Sequence, residues 1–219
     1  MALAKSKDTK ARILVGGGLA LGVLLIGALE YFGLPAVRVA AVLIAMFMIV
    51  EMILAIVRAG RDVVRKNMLV CGGFTLWLVV VLISAASVGN RPWIMFLLLL
   101  IISFADMGAW LFGKWLGGDK MWERLSAGKT WSGQIAGIAC GTFASVMYGL
   151  LGTDAFMPQL MWIGISVSLL SQYGDLTASW VKRRLGIKDF GRILPGHGGV
   201  LDRFDGWIYA LPLVWLIML

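Results

Sequence analysis

Seven stretches of this chain are long, apolar and poor in charge, at about 13–32, 35–57, 68–88, 93–112, 131–151, 157–178 and 204–219. A helical membrane crossing takes about 20 mostly apolar residues. The last stretch has only about 16, or ~24 Å of helix at 1.5 Å per residue, so it has to start at the membrane surface near Phe204 or thin the bilayer. Of the 219 residues, 60% are apolar and 15% are charged, where a soluble domain carries about 25% charge. That argues against an ordinary soluble enzyme, because a globule of this size could not keep so much apolar surface from water. Disorder and a nucleic-acid-binding domain are excluded on the same ground. The expected fold is all-α: one polytopic membrane domain, 1–219, forming a bundle of about seven transmembrane helices.

Lysine and arginine orient the bundle. With the N-terminus in the cytoplasm, the cytoplasmic segments carry 18 of the 20 Lys and Arg, and only Arg38 and Arg91 fall outside. Cytoplasmic loops keep positive charge, so the asymmetry supports both the orientation and the number of crossings. The net charge of +8 then reflects topology and attraction to anionic headgroups. The N-terminal MALAKSKDTKAR precedes a run longer than a signal-peptide core, and no small-x-small cleavage site follows, so the first helix is expected to be retained.

External connections are short, around 33–34, 89–92 and 152–156. Two cytoplasmic segments, 113–130 and 179–203, are longer and rich in Gly and in both signs of charge. Function sits on loops held by a rigid scaffold, which puts the expected site on the cytoplasmic face. The chain accordingly divides into N-terminal helices (1–102), a catalytic region (103–207) containing both loops, and the last helix (204–219).

Some features need only packing. Gly133, Gly137 and Gly141 recur every four residues, a small-residue stripe that lets a neighbouring helix come close. Cys71 and Cys140 lie far apart in apolar stretches and fit no metal or disulfide spacing. Several tryptophans fall near the expected membrane faces, as interface anchors do. Glu30 lies near the outer face and needs no role. Glu51 is deeper; it either marks a site or pairs with Arg58 two turns on.

Acids inside a membrane cost about 2.5–3.5 kcal/mol each at mid-helix, and Asp106 and Asp175 lie near the inner ends of their helices. Ser168, Ser171, Gln172, Asp175, Ser179 and Arg183 follow steps of three and four, which puts them on one helical face. This stripe is either the wall of a hydrated cavity or a set of interhelical hydrogen bonds. It runs into SWVKRRLGIKDFGRILPGHGGVLDRFD, where five cations (Lys182, Arg183, Arg184, Lys188 and Arg192) lead into a glycine turn around the only histidine, His197, followed by Asp202, Arg203 and Asp205. Glycine lets backbone N–H groups cradle phosphate oxygens, Lys and Arg neutralise polyphosphate, and carboxylates hold Mg²⁺ that also binds substrate phosphates. The combination suits a metal–nucleotide polyphosphate.

These residues carry a resemblance. Ser179, Lys182, Arg183, Lys188, Asp189, Gly191, Leu194, Pro195, His197, Gly198, Gly199, Asp202, Arg203 and Asp205 match, spacing included, the signature of the phosphatidate cytidylyltransferases, or CDP-diacylglycerol synthases. A looser likeness covers Asp106, Ala109-Trp110, Gly113-Lys114 and 126–133, where Ala127 and Gly128 replace the family's Pro and Lys, and Ser132 replaces Glu. The resemblance covers about 103–207, and the chain is shorter than bacterial members usually are.

The resemblance implies CMP transfer from CTP to phosphatidic acid, with Mg²⁺ and room for a second cation. It implies Asp175 and Asp202 as metal ligands, and Asp106, Lys129, Asp175 and Asp202 as the catalytic group. Lys182, Arg183, Lys188, Asp189, His197, Gly198, Gly199 and Arg203 are the implied CTP site, and Ser126, Lys129, Thr130 and Ser179 the implied lipid-phosphate side. A homodimer in the bacterial inner membrane, with no nucleic-acid partner, is the implied setting. The alternatives are a CTP-dependent polyprenol- or phytol-type lipid kinase, a transporter, or a degenerate regulatory member of the family.

Overall fold

The structure, a computed structural model, describes residues 2–123, 125–151, 157–193 and 198–219. Each of the seven expected stretches overlaps a helix, with smaller elements between some of them. The first elements are α1 (Ala2–Tyr31), α2 (Ala36–Ala59), the short α3 (Arg61–Lys66), α4 (Met68–Val88) and α5 (Pro92–Leu116). The strands β1 (Lys120–Trp122) and β2 (Ser126–Thr130) follow, then α6 (Trp131–Leu150), α7 (Met157–Arg184) and α8 (Trp207–Ile217). Among the described residues, α2, α4, α5 and α6 are each long and apolar enough to cross a membrane. The expected outer connection at 152–156 lies outside the described residues.

Three boundaries differ from expectation. The segment 113–130 is not a plain loop: α5 continues to Leu116 and an antiparallel hairpin follows, with Lys120 opposite Thr130 and Trp122 opposite Ser126. α7 continues to Arg184, so the second loop starts later than 179. α8 has 11 residues, about 16 Å, because residues 201–206 form turns before it.

The chain divides into two compact units, Met1–Pro92 with Val181–Phe204, and Trp93–Trp180 with Asp205–Leu219. In the first, α2 packs on α1 and α4. Its core takes Met48 and Met52 from α2, Leu78 and Val81 from α4, and Phe190 and Leu201 from the signature loop. Glu30, at the end of α1, accepts the N–H of Val37 at 2.9 Å, which satisfies one of the free donors of the α2 N-terminus.

In the second unit the glycine stripe does what its spacing implies. A Cβ at Gly133 would fall 2.6 Å from the Ala109 carbonyl oxygen of α5, and one at Gly137 would fall 2.8 Å from that of Ala105. A Cβ at Gly141 would collide with the Ser168 hydroxyl of α7. Gly164 of α7 sits equally close to Thr142 of α6. Only glycine lets these helices come so near.

Candidate active site

In the first unit, α7 ends where the signature loop begins. Gly186, at φ 70°, adopts the left-handed conformation that costs glycine little. The N–H of Ile187 bonds back to the Lys182 carbonyl at 3.0 Å, and that of Gly186 to the Arg183 carbonyl at 3.2 Å. The chain then turns around Asp202. Its Oδ2 accepts the N–H groups of Phe190 at 2.9 Å and Gly199 at 3.0 Å, and its Oδ1 holds the Lys182 ammonium at 2.8 Å. The Asp202 side chain is 4% exposed. A carboxylate so buried persists only when paired and hydrogen-bonded, and both conditions are met.

Phe190 is fully buried, stacks on Phe74 of α4 with centroids 6.2 Å apart, and has the Lys182 ammonium over its ring at 5.4 Å. Arg58 of α2 donates to the Phe190 carbonyl at 3.1 Å. Arg58, Lys188 and Arg192 line a cavity of about 530 Å³ together with Gly186, Ile187 and Asp189. Three cations to one acid give the lining a net positive charge that suits an anion, and the volume is within the ~300–1,000 Å³ usual for small-molecule sites.

Glu51, two-thirds of the way along α2, is fully buried and accepts the N–H of Leu201 at 2.8 Å on Oε2. It does not pair with Arg58. A Cβ at Gly191 or at Gly199 would collide with its carboxylate. The two glycine backbones therefore cross directly against Glu51.

In the second unit, Lys129 of β2 reaches Asp175 Oδ2 of α7 at 2.6 Å and the Gln172 carbonyl at 3.4 Å. The side chains of Lys129 and Asp175 are 24% and 40% exposed, so the pair lies open to solvent. Ser179 donates to Asp175 Oδ1 at 3.4 Å. The rest of the α7 polar stripe is closed: Ser168, Ser171 and Gln172 are buried, and Gln172 donates to the Gln134 carbonyl of α6 at 3.3 Å. Helix packing thus buries 168–172, with Gln172 bonded across to α6 and Ser171 bonded within α7 to the Ser168 carbonyl, and accessible polarity begins at Asp175.

Thr130 is buried and caps α6, its hydroxyl accepting the Gly133 N–H at 3.2 Å. Ser132, where the family has Glu, bonds the Gly117 carbonyl and lies 3.0 Å from the Thr130 hydroxyl. Asp106 lies on the exposed side of α5, and Ser126 opens β2 half-buried.

The first unit therefore gathers Lys182, Arg183, Lys188, Asp189, Gly198, Gly199, Asp202 and Arg203, and the second holds Asp106, Ser126, Lys129, Thr130, Asp175 and Ser179. His197, with Leu194, Pro195 and Gly196, lies outside the described residues. Sequence reasoning gave Arg58 no part in the site, counted Arg192 only among the loop cations, and left Glu51 undecided. Arg58 carried no local signal, since one arginine at a helix end usually marks the cytoplasmic face.

Among the described residues, no group of three or more His, Cys, Asp and Glu side chains forms a metal cage. Mg²⁺ seldom needs one, because it takes one or two carboxylates and fills its shell with water and substrate phosphate. Asp175 fits that pattern, half-exposed with its Oδ1 only 3.4 Å from Ser179, whereas Asp202, 4% exposed with both oxygens taken, would have to exchange a donor for the ion. Each has one oxygen on a lysine ammonium, a cation already in place, and backbone N–H groups orient the Asp202 carboxylate through its other oxygen.

The chain is 43% identical over 122 residues to the phosphatidate cytidylyltransferase of Staphylococcus aureus (strain COL), covering 55% of this chain and 46% of that protein. It is 44% identical over 136 residues to the phosphatidate cytidylyltransferase of Brucella suis biovar 1, covering 58% of this chain and 48% of that one. The aligned region thus spans about half the length of these curated relatives. The profile described as the cytidylyltransferase family matches residues 1–219, and the chain belongs to that family.

Proposed function

We propose that this chain transfers CMP from CTP to phosphatidic acid, giving CDP-diacylglycerol and pyrophosphate. The observation that carries the reading is the anion pocket of Arg58, Lys188 and Arg192 beside a glycine loop clamped by Asp202. The likeness to enzymes named phosphatidate cytidylyltransferase supplies the substrate class.

A lipid phosphate oxygen forms a bond to the α-phosphorus as the bond from that phosphorus to the bridging oxygen breaks, and pyrophosphate leaves with the electron pair. The nucleophile is ionised at neutral pH, so no strong general base is needed. The task is to bring two anions together and to hold the charge of an in-line displacement. Lys182, Arg183, Lys188, Asp189, His197, Gly198, Gly199 and Arg203 would bind the triphosphate. Lys129, with Ser126, Thr130 and Ser179, would receive the lipid phosphate, and Asp106 would line the site. Asp175 and Asp202 would each offer an oxygen to Mg²⁺, which when bound neutralises phosphate charge; the resemblance leaves open a second cation. The acyl chains stay in the bilayer while the headgroup enters from the side. By the same resemblance the enzyme works as a homodimer in a bacterial inner membrane, with its site on the cytoplasmic face.

The test is pyrophosphate release from CTP by the purified chain in detergent. Release that needs both phosphatidic acid and Mg²⁺ supports the reading. Lipid-dependent formation of CDP without pyrophosphate marks a kinase and overturns it.

A further inference from the structure

We propose that Glu51 is a positioning residue for the nucleotide site, acting from α2 on the backbone of the signature loop. This rests on the reading of that loop as the CTP site.

Glu51 sits two-thirds of the way along an apolar helix, where an acid is costly. It is fully buried, and Oε1 has no hydrogen-bond partner among the described residues. Its burial is therefore incompletely compensated within α2 and the loop. What it does hold is specific. Oε2 takes the N–H of Leu201, and the same carboxylate is wedged against Gly191 and Gly199. These glycines flank the turn whose amides Asp202 gathers from the other side, at Phe190 and Gly199. Two carboxylates thus fix one loop, Asp202 from within it and Glu51 from the helix beneath. Arg58, two turns along α2, adds a third tie at the Phe190 carbonyl.

The loop therefore gets its conformation from α2 as well as from its own signature. Residues 191 and 199 are glycine because the Glu51 carboxylate occupies the space a side chain would need. Without Glu51 the N–H of Leu201 loses its partner and the two glycine strands can move apart. The amides at 198–199 and the cations at 188 and 192 would then lose their common register, and CTP would be held less well. Phosphatidic acid, received by other residues, would not be affected.

The full-length chain in detergent provides the test, with Glu51→Ala and the near-isosteric Glu51→Gln, whose carbonyl still accepts the Leu201 N–H. Glu51→Ala should raise KM for CTP about tenfold, the scale of one lost buried hydrogen bond to a charged group. KM for phosphatidic acid should stay within about twofold, and Glu51→Gln should restore the CTP value to within about threefold. A merely structural role lowers the amount of active enzyme and moves neither KM. Amide hydrogen exchange should speed up at 190–191 and 199–201 in Glu51→Ala and not along α6. An unchanged CTP KM, equal rises for both substrates, or unchanged exchange at 199–201 overturns the proposal. If the wild-type chain makes no CDP-lipid, the functional reading fails, and the exchange comparison alone decides whether Glu51 holds the loop.

Discussion

The Lys182 ammonium lies 2.8 Å from Asp202 Oδ1, with the two side chains only 11% and 4% exposed. Removing one member of so buried a pair strands the other, a loss of about 3–5 kcal/mol. Asp202→Asn keeps the shape and an oxygen for the Phe190 and Gly199 amides but discards the charge. It should lower kcat at least about 10²-fold while leaving helix content by circular dichroism and the elution volume in detergent at wild-type values. More than a tenth of wild-type turnover would remove Asp202 from the reacting site.

Lys129 and Lys120 face each other's strands in one hairpin, yet only Lys129 reaches an acid of α7. Lys129→Ala should cost about 10²-fold in kcat/KM for phosphatidic acid, on the scale of losing one charged donor to a reacting phosphate. Lys120, exposed on β1, should be replaceable by Ala with a change within about threefold. Equal losses in the two variants would mean that the hairpin matters only as a fold element.

Thr130 belongs to the expected lipid-phosphate group, and the structure gives it a second duty as the cap of α6. Thr130→Ala should lower stability by about 1 kcal/mol, read as a lower Tm in detergent, and Thr130→Ser should recover most of it. A Tm unchanged in Thr130→Ala would show that the cap contributes nothing.

Gly137 and Gly72 predict opposite responses to the same substitution. A Cβ at Gly137 meets the Gln172 amide nitrogen at 2.6 Å and the Ala105 carbonyl oxygen at 2.8 Å, whereas one at Gly72 meets nothing within 4 Å. Gly137→Ala should destabilise by about 1–3 kcal/mol through overpacking. Gly72→Ala should be neutral or gain up to about 1 kcal/mol from helix propensity. Thermal unfolding of the two variants side by side checks both signs.

Most of the helical architecture was legible because apolar segments announce themselves by length, and each expected stretch overlaps a helix, four of them long and apolar enough among the described residues to cross a membrane. The hairpin at 120–130 was not, because SAGKT has no apolar alternation to mark a strand; its order comes from β1–β2 pairing and from Ser132 and Thr130 at the start of α6. The stripe on α7 was legible as a face but not as two regions. Whether Ser168 and Gln172 meet water or a helix depends on how closely the α6 glycines bring that helix, which is a tertiary fact. At the site, the signature disclosed Lys182 and Asp202 one by one but not their ion pair. Glu51 stayed ambiguous because its partner is 150 residues away, beyond the reach of any local spacing rule.

The central claim, attack at the α-phosphorus of CTP, is tested most directly by following two labels in one purified preparation with phosphatidic acid and Mg²⁺. With CTP labelled at the α-phosphate, the account predicts label in the lipid extract as CDP-diacylglycerol, and none when Mg²⁺ is chelated. With CTP labelled at the γ-phosphate, it predicts all released label in pyrophosphate. Label from the γ-phosphate in the lipid, with the α-label left in soluble CDP, would contradict it.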